Sequence, residues 1–407
     1  MKRISTSAVL CGAILAACGE PPSPLSLSVL PMESPTGADS GEPFLSLSGD
    51  TVIMSWLGRS DAGVRQMRFA RYVDGDWDEP TVVTTSERLL VNVADFPSVV
   101  TGADGMLWAH WLERDAEGFG YGVRVSHSGD GGATWAEPWT PHTDDTPTEH
   151  GFVSTVPMGG GVGLVWLDGR AFAMPQDGSS PANETALYFR AVGAGGPAGP
   201  ETPLDGRVCD CCQTDVAVTS SGPVLVYRDR SPEEIRDIRV TRYENGSWDE
   251  GRPVHEDGWE TGACPINGPA VAARDERVAV AWFTAAGGEA RVNVAFSNDA
   301  ARSFATATRV DDGSPSGRVD VLLLEDGTAL VSWLERTGGD GAEVRVRRVG
   351  PRGQRLETLS VSAPFSERAG GFPRLVQEGT GAIILAWTDG AELTPRVRVT
   401  RIQVGES

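Results

Sequence analysis

The sequence predicts an all-β protein, a seven-bladed β-propeller built from four-stranded blades. A strand of small and branched residues that ends in an aromatic residue recurs seven times, with spacings of 55, 55, 61, 55, 51 and 54 residues. The seven aromatic residues are Trp56, Trp111, Trp166, Tyr227, Trp282, Trp333 and Trp387. Each repeat has room for four short strands separated by turn residues, and no helical periodicity is visible. Seven such repeats predict seven blades.

The ends of the chain predict how the ring closes. The last repeat offers three strands, at 373–377, 382–387 and 397–404. The segment 25–30 alternates apolar and polar residues and precedes the first repeat. Because ring closure removes an unpaired sheet edge, we expect this segment to be the missing outer strand of the seventh blade. A flexible leader is the alternative.

The N-terminus carries an export signal. Lys2 and Arg3 precede a short apolar stretch at 8–17, too brief to span a bilayer, and then Cys18. This arrangement resembles a bacterial lipoprotein signal with its lipobox. The resemblance implies cleavage before Cys18, lipidation of Cys18, and a membrane anchor at the cell envelope, on the periplasmic face or the cell surface. An ordinary secretory signal is the alternative.

The predicted organisation has three parts. Residues 1–17 are the lipoprotein signal peptide, residues 18–42 are a lipid-anchored tether that includes the closing strand, and residues 43–407 are the propeller. The chain has 35 Lys+Arg against 56 Asp+Glu, a net charge of -21. A surface this acidic repels phosphate backbones, so we expect no nucleic-acid partner. We expect a monomer.

One turn motif points to a family. The segment from Ser128 to Trp135 reads Ser-Gly-Asp-Gly-Gly-Ala-Thr-Trp, and a degenerate copy runs from Ser297 to Phe304. This resembles the Asp-box of bacterial neuraminidase repeats, found in sialidase-like propellers. The resemblance implies a turn on the rim of the propeller, away from any reaction centre. Its Asp and Ser side chains are expected to bond locally within the turn.

The sialidase resemblance also implies a catalytic set, which the chain lacks in two respects. Sialidases combine an arginine triad, a tyrosine nucleophile assisted by a glutamate, and an aspartate acid/base. Segment 30–43 contains no arginine where the family places its first triad arginine, and the last three repeats contain no tyrosine. The sequence therefore favours binding without catalysis and assigns no catalytic residue.

Four cysteines remain after Cys18. Cys209, Cys211, Cys212 and Cys264 precede the inner strands of repeats four and five, so we expect them to lie close together. An even number of cysteines in an oxidising compartment predicts two disulfides with three possible connectivities. The alternative is a Zn or Cu site formed by the cysteines with help from His150.

The ligand site is expected at the face where the inner strands begin and the aromatic strands end. Acids and arginines follow the aromatic strands, and polar residues precede the inner strands. Such groups suit hydroxyl-rich or carboxylated small molecules. The predicted ligand-binding residues are Asp168, Arg170, Arg228, Asp229, Asn267 and Arg318.

Three functions follow from these features. The first is an envelope-anchored propeller, without a cofactor, that binds a glycan, peptide or partner protein at the channel face. The second is a glycoside hydrolase of the exo-α-sialidase type. The third is a metal-binding or redox protein that uses the cysteine cluster.

Overall fold

The computed structural model describes residues 27–115, 120–174, 180–363, 365–367, 370–379, 381–390 and 394–404. Within them the seven repeats form seven antiparallel sheets, which confirms the predicted seven-bladed β-propeller. The signal peptide, Cys18 and the tether as far as residue 26 lie outside the described residues. In the described part no helix is both long and apolar enough to cross a membrane.

The first three blades follow the N-terminal strand β1 (Leu27–Pro31). Blade 1 contains β2 (Gly41–Ser48), β3 (Thr51–Arg59), β4 (Arg65–Val73), β5 (Asp76–Trp77) and β6 (Thr81–Thr85). Blade 2 contains β7 (Ser98–Thr101), β8 (Leu107–Arg114) and β9 (Tyr121–Ser128), with an isolated bridge between Val125 and Trp139 at its outer edge. Blade 3 contains β10 (His150–Met158), β11 (Gly161–Asp168), β12 (Thr185–Gly193), β13 (Gly196–Pro197) and β14 (Thr202–Val208).

Four more blades complete the ring. Blade 4 contains β15 (Asp215–Thr219), β16 (Gly222–Arg228), β17 (Ile238–Glu244), β18 (Ser247–Trp248) and β19 (Arg252–Pro253). Blade 5 contains β20 (Ala270–Arg274), β21 (Arg277–Thr284), β22 (Arg291–Ser297) and β23 (Thr308–Arg309). Blade 6 contains β24 (Pro315–Leu323), β25 (Ala329–Gly338), β26 (Gly341–Val349), β27 (Arg355–Ser360) and β28 (Phe365–Ser366). Blade 7 contains β29 (Arg374–Gln377), β30 (Ile383–Asp389) and β31 (Arg396–Val404). Two 3₁₀ turns, at Arg170–Phe172 and Ala286–Gly288, accompany the strands.

The seven repeated aromatic residues are buried between adjacent blades. Trp166 is fully buried and packs with Val123 and Val125 of blade 2, and Trp333 packs in the same way against Val294 of blade 5. Each large ring therefore fills the wedge between its own sheet and the preceding sheet. Truncating one of them to alanine is expected to cost about 3–5 kcal/mol, because the twisted sheets cannot close over the cavity.

Several of these tryptophans donate a hydrogen bond from the indole N–H to the acidic residue two positions later. The indole Nε1 of Trp166 donates to Asp168 at 2.8 Å, and that of Trp333 donates to Glu335 at 2.5 Å. Residues i and i+2 of a strand share one face, so the acid stands beside the ring. The acids that follow the aromatic strands are thus part of the blade packing.

Polar bonds also link each blade to the next near the axis. At six of the seven junctions a side chain of one blade accepts a backbone N–H of its neighbour: Phe152 N to Asp95, Gly268 N to Gln213 (2.7 Å), Arg318 N to Asn267 (2.6 Å), Leu375 N to Asp320 (2.6 Å), Glu42 N to Thr388 (3.2 Å) and Val99 N to Ser55 (3.2 Å). At the remaining junction, between blades 3 and 4, Thr214 Oγ1 donates to the carbonyl of Phe152 at 3.2 Å. These bonds fix the positions of the inner strands around the ring.

The closing strand is confirmed. β1 pairs antiparallel with β31, in a register that sets Leu27 opposite Val404 and Pro31 opposite Thr400. Leu27 is buried in the apolar cluster that contains Leu375 and Ile402. The seventh blade thus takes its outer strand from the start of the chain, and its order is β1-β31-β30-β29.

Removing residues 27–31 should destabilise the whole ring. The deletion exposes the edge of β31 and the Leu27 site, a loss of about 5 kcal/mol when hydrogen bonds and apolar burial are added. For a domain of this size, we expect the melting temperature to fall by about 5–10 °C in a thermal scan. Deleting residues 19–23, ahead of the strand, is the matched control. An unchanged melting temperature for the 27–31 deletion would show that β1 contributes nothing to closure.

Candidate functional site

Aromatic rings and one arginine fill the centre of the propeller. Phe96 and Phe372 pack edge to face with ring centroids 5.2 Å apart, and the Arg374 guanidinium stacks 5.0 Å from the Phe44 centroid and 5.3 Å from that of Phe96. The cavity left beside them has a volume of about 50 Å³. This volume has room for water but not for a sugar or a peptide, so the axis itself is not the ligand site.

Buried acids surround this plug. Burial raises the pKa of Asp95 to about 7, although the backbone N–H of Phe152 bonds its carboxylate. Burial likewise raises the pKa of Asp215 to about 6 and that of Glu42 to about 7, against the opposing charges of Arg374 and Arg65 respectively. The carboxyl groups of Asp95 and Asp215 bond backbone N–H groups of the neighbouring blade, and the ionisation of all three groups opposes folding.

A larger cleft opens off the axis, between blades 2 and 3. Its volume is about 390 Å³, within the range for small-molecule sites. It lies where β9 and β10 begin and β11 ends, on the face that the sequence predicts for ligand binding. The side chains that line it include Tyr121, Thr148, Glu149, Phe152, Phe172 and Asp210.

The cleft combines aromatic surfaces with acceptors. Phe172 belongs to the 3₁₀ turn after β11 and is 39% exposed, whereas Phe152 is buried below it. The Tyr121 hydroxyl lies 3.5 Å from Glu149 Oε2. Burial and the nearby carboxylates of Asp95 and Glu149 raise the pKa of Tyr121, so its phenol stays protonated and serves as a hydrogen-bonding group rather than a nucleophile.

Asp168 and Arg170, two of the predicted ligand residues, form an ion pair behind the cleft. Arg170 donates to both carboxylate oxygens of Asp168, at 2.7 and 2.6 Å, and also bonds Glu201. Its guanidinium stacks 4.1 Å from the centroid of the Tyr188 ring. Asp168 has no exposed surface and also accepts the Trp166 indole N–H. Both charges are therefore engaged within the protein.

The other predicted ligand residues lie at blades 4 to 6. Arg228 is 2% exposed and donates to the carbonyls of Asn267, Arg236 and Phe283 at 2.6–2.8 Å. Asp229 accepts from Arg239 at 3.2 Å. The structure thus separates the six residues into two groups, one beside the cleft at blade 3 and one beyond it.

Asn267 and Arg318 meet at the junction of blades 5 and 6. Asn267 bonds the backbone N–H of Arg318 and donates to the carbonyls of Pro265 and Ser316. The Arg318 guanidinium stands 5.9 Å from the centroid of Phe372 with one buried N–H group unbonded, and burial lowers the pKa of Arg318. Asn267 is thus fully engaged in the scaffold.

The cysteines form one disulfide and one close pair of thiols. Cys211 is bonded to Cys264, and the Sγ atoms of the buried Cys209 and Cys212 are 2.7 Å apart. The predicted cluster is therefore assembled, and one of its bonds is present; a second bond, between Cys209 and Cys212, stays a prediction. His150 is placed against Asp144, at 3.0 Å. The disulfide lies next to Asp210, and so fixes one wall of the cleft.

The sequence reasoning missed the cleft residues themselves. Tyr121 and Thr148 to Phe152 lie at the start of strands, as expected for this face, but nothing in the repeat pattern distinguishes blades 2 and 3 from the others. Asp210 stands between Cys209 and Cys211, where the cysteine pattern does not indicate a place in the cleft. The sequence feature that does point to this place is the unusually long segment after Asp168, which carries Phe172.

The segment that resembles an Asp-box makes its bonds locally. Asp130 accepts from the Thr134 hydroxyl at 2.6 Å and its backbone N–H at 2.9 Å, and Ser128 accepts the backbone N–H of Gly132 at 2.7 Å. The Thr134 bonds lower the pKa of Asp130 to about 2. Asp299 and Ser303 repeat the pattern in blade 5. Neither segment contributes to the cleft.

Comparison with known proteins supports the fold and does not assign a function. No protein-family model matches the chain, and no curated protein sequence matches it. A protein of unknown function from Dyadobacter fermentans has a similar structure, with a TM-score of 0.52, 12% identity, and coverage of 94% of this chain and 98% of that one. The α-L-arabinanase of Penicillium chrysogenum complexed with arabinobiose gives a TM-score of 0.50 at 13% identity, with coverage of 94% and 98%. The sialidase of Trypanosoma rangeli has a TM-score of 0.47 at 13% identity, and the match covers 80% of this chain and 56% of that chain.

Replacing Asp95 by asparagine should change how stability depends on pH. The folded pKa of about 7 lies above the ordinary 3.8, so the wild type loses stability as pH rises from about 4 to 7, where the unfolded chain releases a proton that the folded chain keeps. The amide oxygen introduced by Asp95→Asn would still accept the Phe152 N–H, without that loss. We expect the stability of Asp95→Asn relative to wild type to rise by about 3 kcal/mol between pH 4.5 and pH 7.5, measured by urea unfolding.

The exposed turn residue Asp130 supplies the control. Its pKa is lowered to about 2, so the stability difference between Asp130→Asn and wild type should stay constant over the same pH range. A pH-independent difference for Asp95→Asn would contradict the assignment of Asp95 as a buried, neutral group.

Proposed function

We propose that this protein is a lipid-anchored envelope propeller that binds a neutral glycan in the cleft between blades 2 and 3, without catalysis. The observation that carries the proposal is the cleft itself. It is the place on the predicted face where about 390 Å³ of space meets aromatic rings and hydrogen-bond acceptors together. Sugars present apolar ring faces and many hydroxyl groups, and this combination matches both.

The charge of the cleft favours neutral over acidic sugars. Glu149 and Asp210 line it, and no arginine is among the described residues of its lining. A carboxylated sugar would meet like charges there without the forked donors that normally recognise a carboxylate. Hydroxyl groups, by contrast, can donate to both acids. We therefore propose a neutral sugar, and not sialic acid, as the ligand.

Binding of neutral oligosaccharides should depend on Phe172 and Glu149. In calorimetric titrations against a panel of neutral and sialylated oligosaccharides, we expect a neutral sugar to bind and the sialylated ones to bind at least about tenfold more weakly. Phe172→Ala should weaken binding about tenfold by removing a stacking surface, and Glu149→Gln by a similar factor. Met174→Ala is the matched control, because Met174 is 72% exposed in the same segment and does not line the cleft.

Two results would overturn this assignment. One is preferential binding of sialylated sugars. The other is binding that Phe172→Ala and Glu149→Gln leave unchanged while the proteins remain folded.

The second candidate is a glycoside hydrolase acting in the same cleft. It is favoured by the presence of two carboxyl groups, Glu149 and Asp210, in one small-molecule site, since most glycosidases use such a pair. Variants of the two acids distinguish binding from hydrolysis. Release of reducing sugar that is lost in both Glu149→Gln and Asp210→Asn, with binding retained, would replace the binding function with hydrolysis.

The anchor is tested by localisation. Cys18 follows the short apolar segment, and a lipid-modified cysteine there would hold the propeller at a membrane. We expect the wild-type protein in the membrane fraction. The Cys18→Ser protein should be found in the soluble fraction or as a precursor whose signal peptide is not cleaved. Cys209→Ser, which changes a buried cysteine of the propeller, is the control for loss of a cysteine. A Cys18→Ser protein that is cleaved like the wild type and still fractionates with membranes would exclude this anchor.

A further inference from the structure

A cluster of two histidines and one aspartate lies behind the cleft. His142 and Asp144 belong to the segment between blades 2 and 3, and His150 begins the inner strand β10. The two imidazole rings stack in parallel, with centroids 4.0 Å apart and an angle of 6° between their planes. Asp144 directs one carboxylate oxygen toward both rings.

The three side chains offer ligand atoms at short range. Asp144 Oδ1 lies 3.0 Å from His150 Nε2 and 3.6 Å from His142 Nδ1, and one ligand atom from each residue lies within 4.8 Å of the others. Ligands about 2.0–2.2 Å from a tetrahedral metal stand about 3.4 Å from one another. The observed separations are therefore close to those around an ion, and the two stacked rings would bind it by tilting toward each other, because an imidazole holds a metal in its ring plane.

The side chain of His142 is mostly enclosed and has no hydrogen-bond partner in the described part of the chain. Its side chain is 9% exposed, and neither ring nitrogen makes a hydrogen bond among the described residues. A buried polar atom left unpaired destabilises the folded state, so such groups normally have a partner. Its Nδ1 faces Oδ1 of Asp144, the same oxygen that contacts His150. A metal ion between Nδ1 and Oδ1 would give the His142 ring the partner that it lacks among the described residues.

The surrounding charges favour a cation. Asp168 Oδ1 lies 3.6 Å from His150 Nε2, and Glu201 bonds Thr143, the residue between His142 and Asp144. Arg170 reaches Asp144 at 3.3 Å but also bonds Asp168 and Glu201. Arg170 can therefore release Asp144 to an ion and keep two partners, while the buried carboxylate of Asp168 adds negative charge beside the same ring nitrogen of His150.

We propose that His142, Asp144 and His150 bind a divalent transition-metal ion, with zinc as the best match. Two imidazole nitrogens and one carboxylate oxygen suit zinc and its neighbours, whereas calcium and magnesium prefer sites made of oxygen atoms. The site uses none of the four cysteines. It does not rest on glycan binding, although its loop also carries Thr148 and Glu149 into the cleft.

The test measures zinc binding to the mature protein after chelation. Isothermal titration and metal analysis should give one zinc ion per chain. His142→Asn and Asp144→Asn should each weaken binding at least about 100-fold, because loss of a direct ligand costs more than the 10–100-fold of an outer partner. His255→Asn is the matched control, since His255 forms a similar pair with Asp257, at 3.0 Å, far from this cluster in the ring.

Two further measurements keep the outcome interpretable. The melting temperature of each variant in chelator shows whether it is folded, and zinc should raise that of wild type but not those of His142→Asn and Asp144→Asn. The double variant Cys209→Ser/Cys212→Ser tests the cysteine cluster and should bind zinc like the wild type. The absorption spectrum of the cobalt-substituted protein should lack thiolate charge-transfer bands.

Specific results would overturn the proposal. It fails if the chelated wild type binds no zinc. It also fails if folded His142→Asn and Asp144→Asn bind zinc as tightly as the wild type, or if binding disappears in the cysteine double variant.

Discussion

The fold depends on the polar bonds that join neighbouring inner strands around the axis. At six junctions an oxygen of one blade accepts a backbone N–H of the next, and at the seventh a hydroxyl group donates to a carbonyl. These N–H groups have lost their water, and each would be costly if left unpaired. The chain satisfies two of them with buried carboxyl groups, those of Asp95 and Asp320, and the raised pKa of Asp95 reports the desolvation cost. The inner strands are thus held in a fixed order, and the channel is closed by the side chains between them.

The sequence predicted the architecture because the repeated aromatic residues pack between blades, a role that leaves a period of about 50 residues in the chain. It also predicted the closing strand, because an alternating segment ahead of the first repeat complements a last repeat with too few strands. It did not predict which charged residues face solvent. Asp168 and Arg228 occupy positions expected at the ligand face, yet Asp168 bonds an indole and Arg228 bonds three carbonyls. A linear pattern shows where a strand ends but not whether the following side chain turns inward.

The cleft that combines aromatic surfaces with hydrogen-bond acceptors is displaced from the symmetry axis. Phenylalanines and Arg374 close the centre, while the long segment after β11 leaves a recess between blades 2 and 3. One wall of that recess is set by the Cys211–Cys264 bond, and the loop that bears Glu149 lies above the paired histidines. Departures from the seven-fold repeat, rather than the repeat itself, therefore give this propeller its individual chemistry.

The pairing of β1 with β31 also determines how an anchored molecule would be oriented. β31 begins next to Asp389, on the face that carries the cleft, and ends at Val404 on the opposite face, where Leu27 is its partner. The chain therefore enters the propeller from the side remote from the cleft. With Cys18 held in a membrane, the eight residues 19–26 form a leash of at most about 30 Å. A connection this short would turn the face opposite the cleft toward the lipid and would present the cleft outward, away from the membrane.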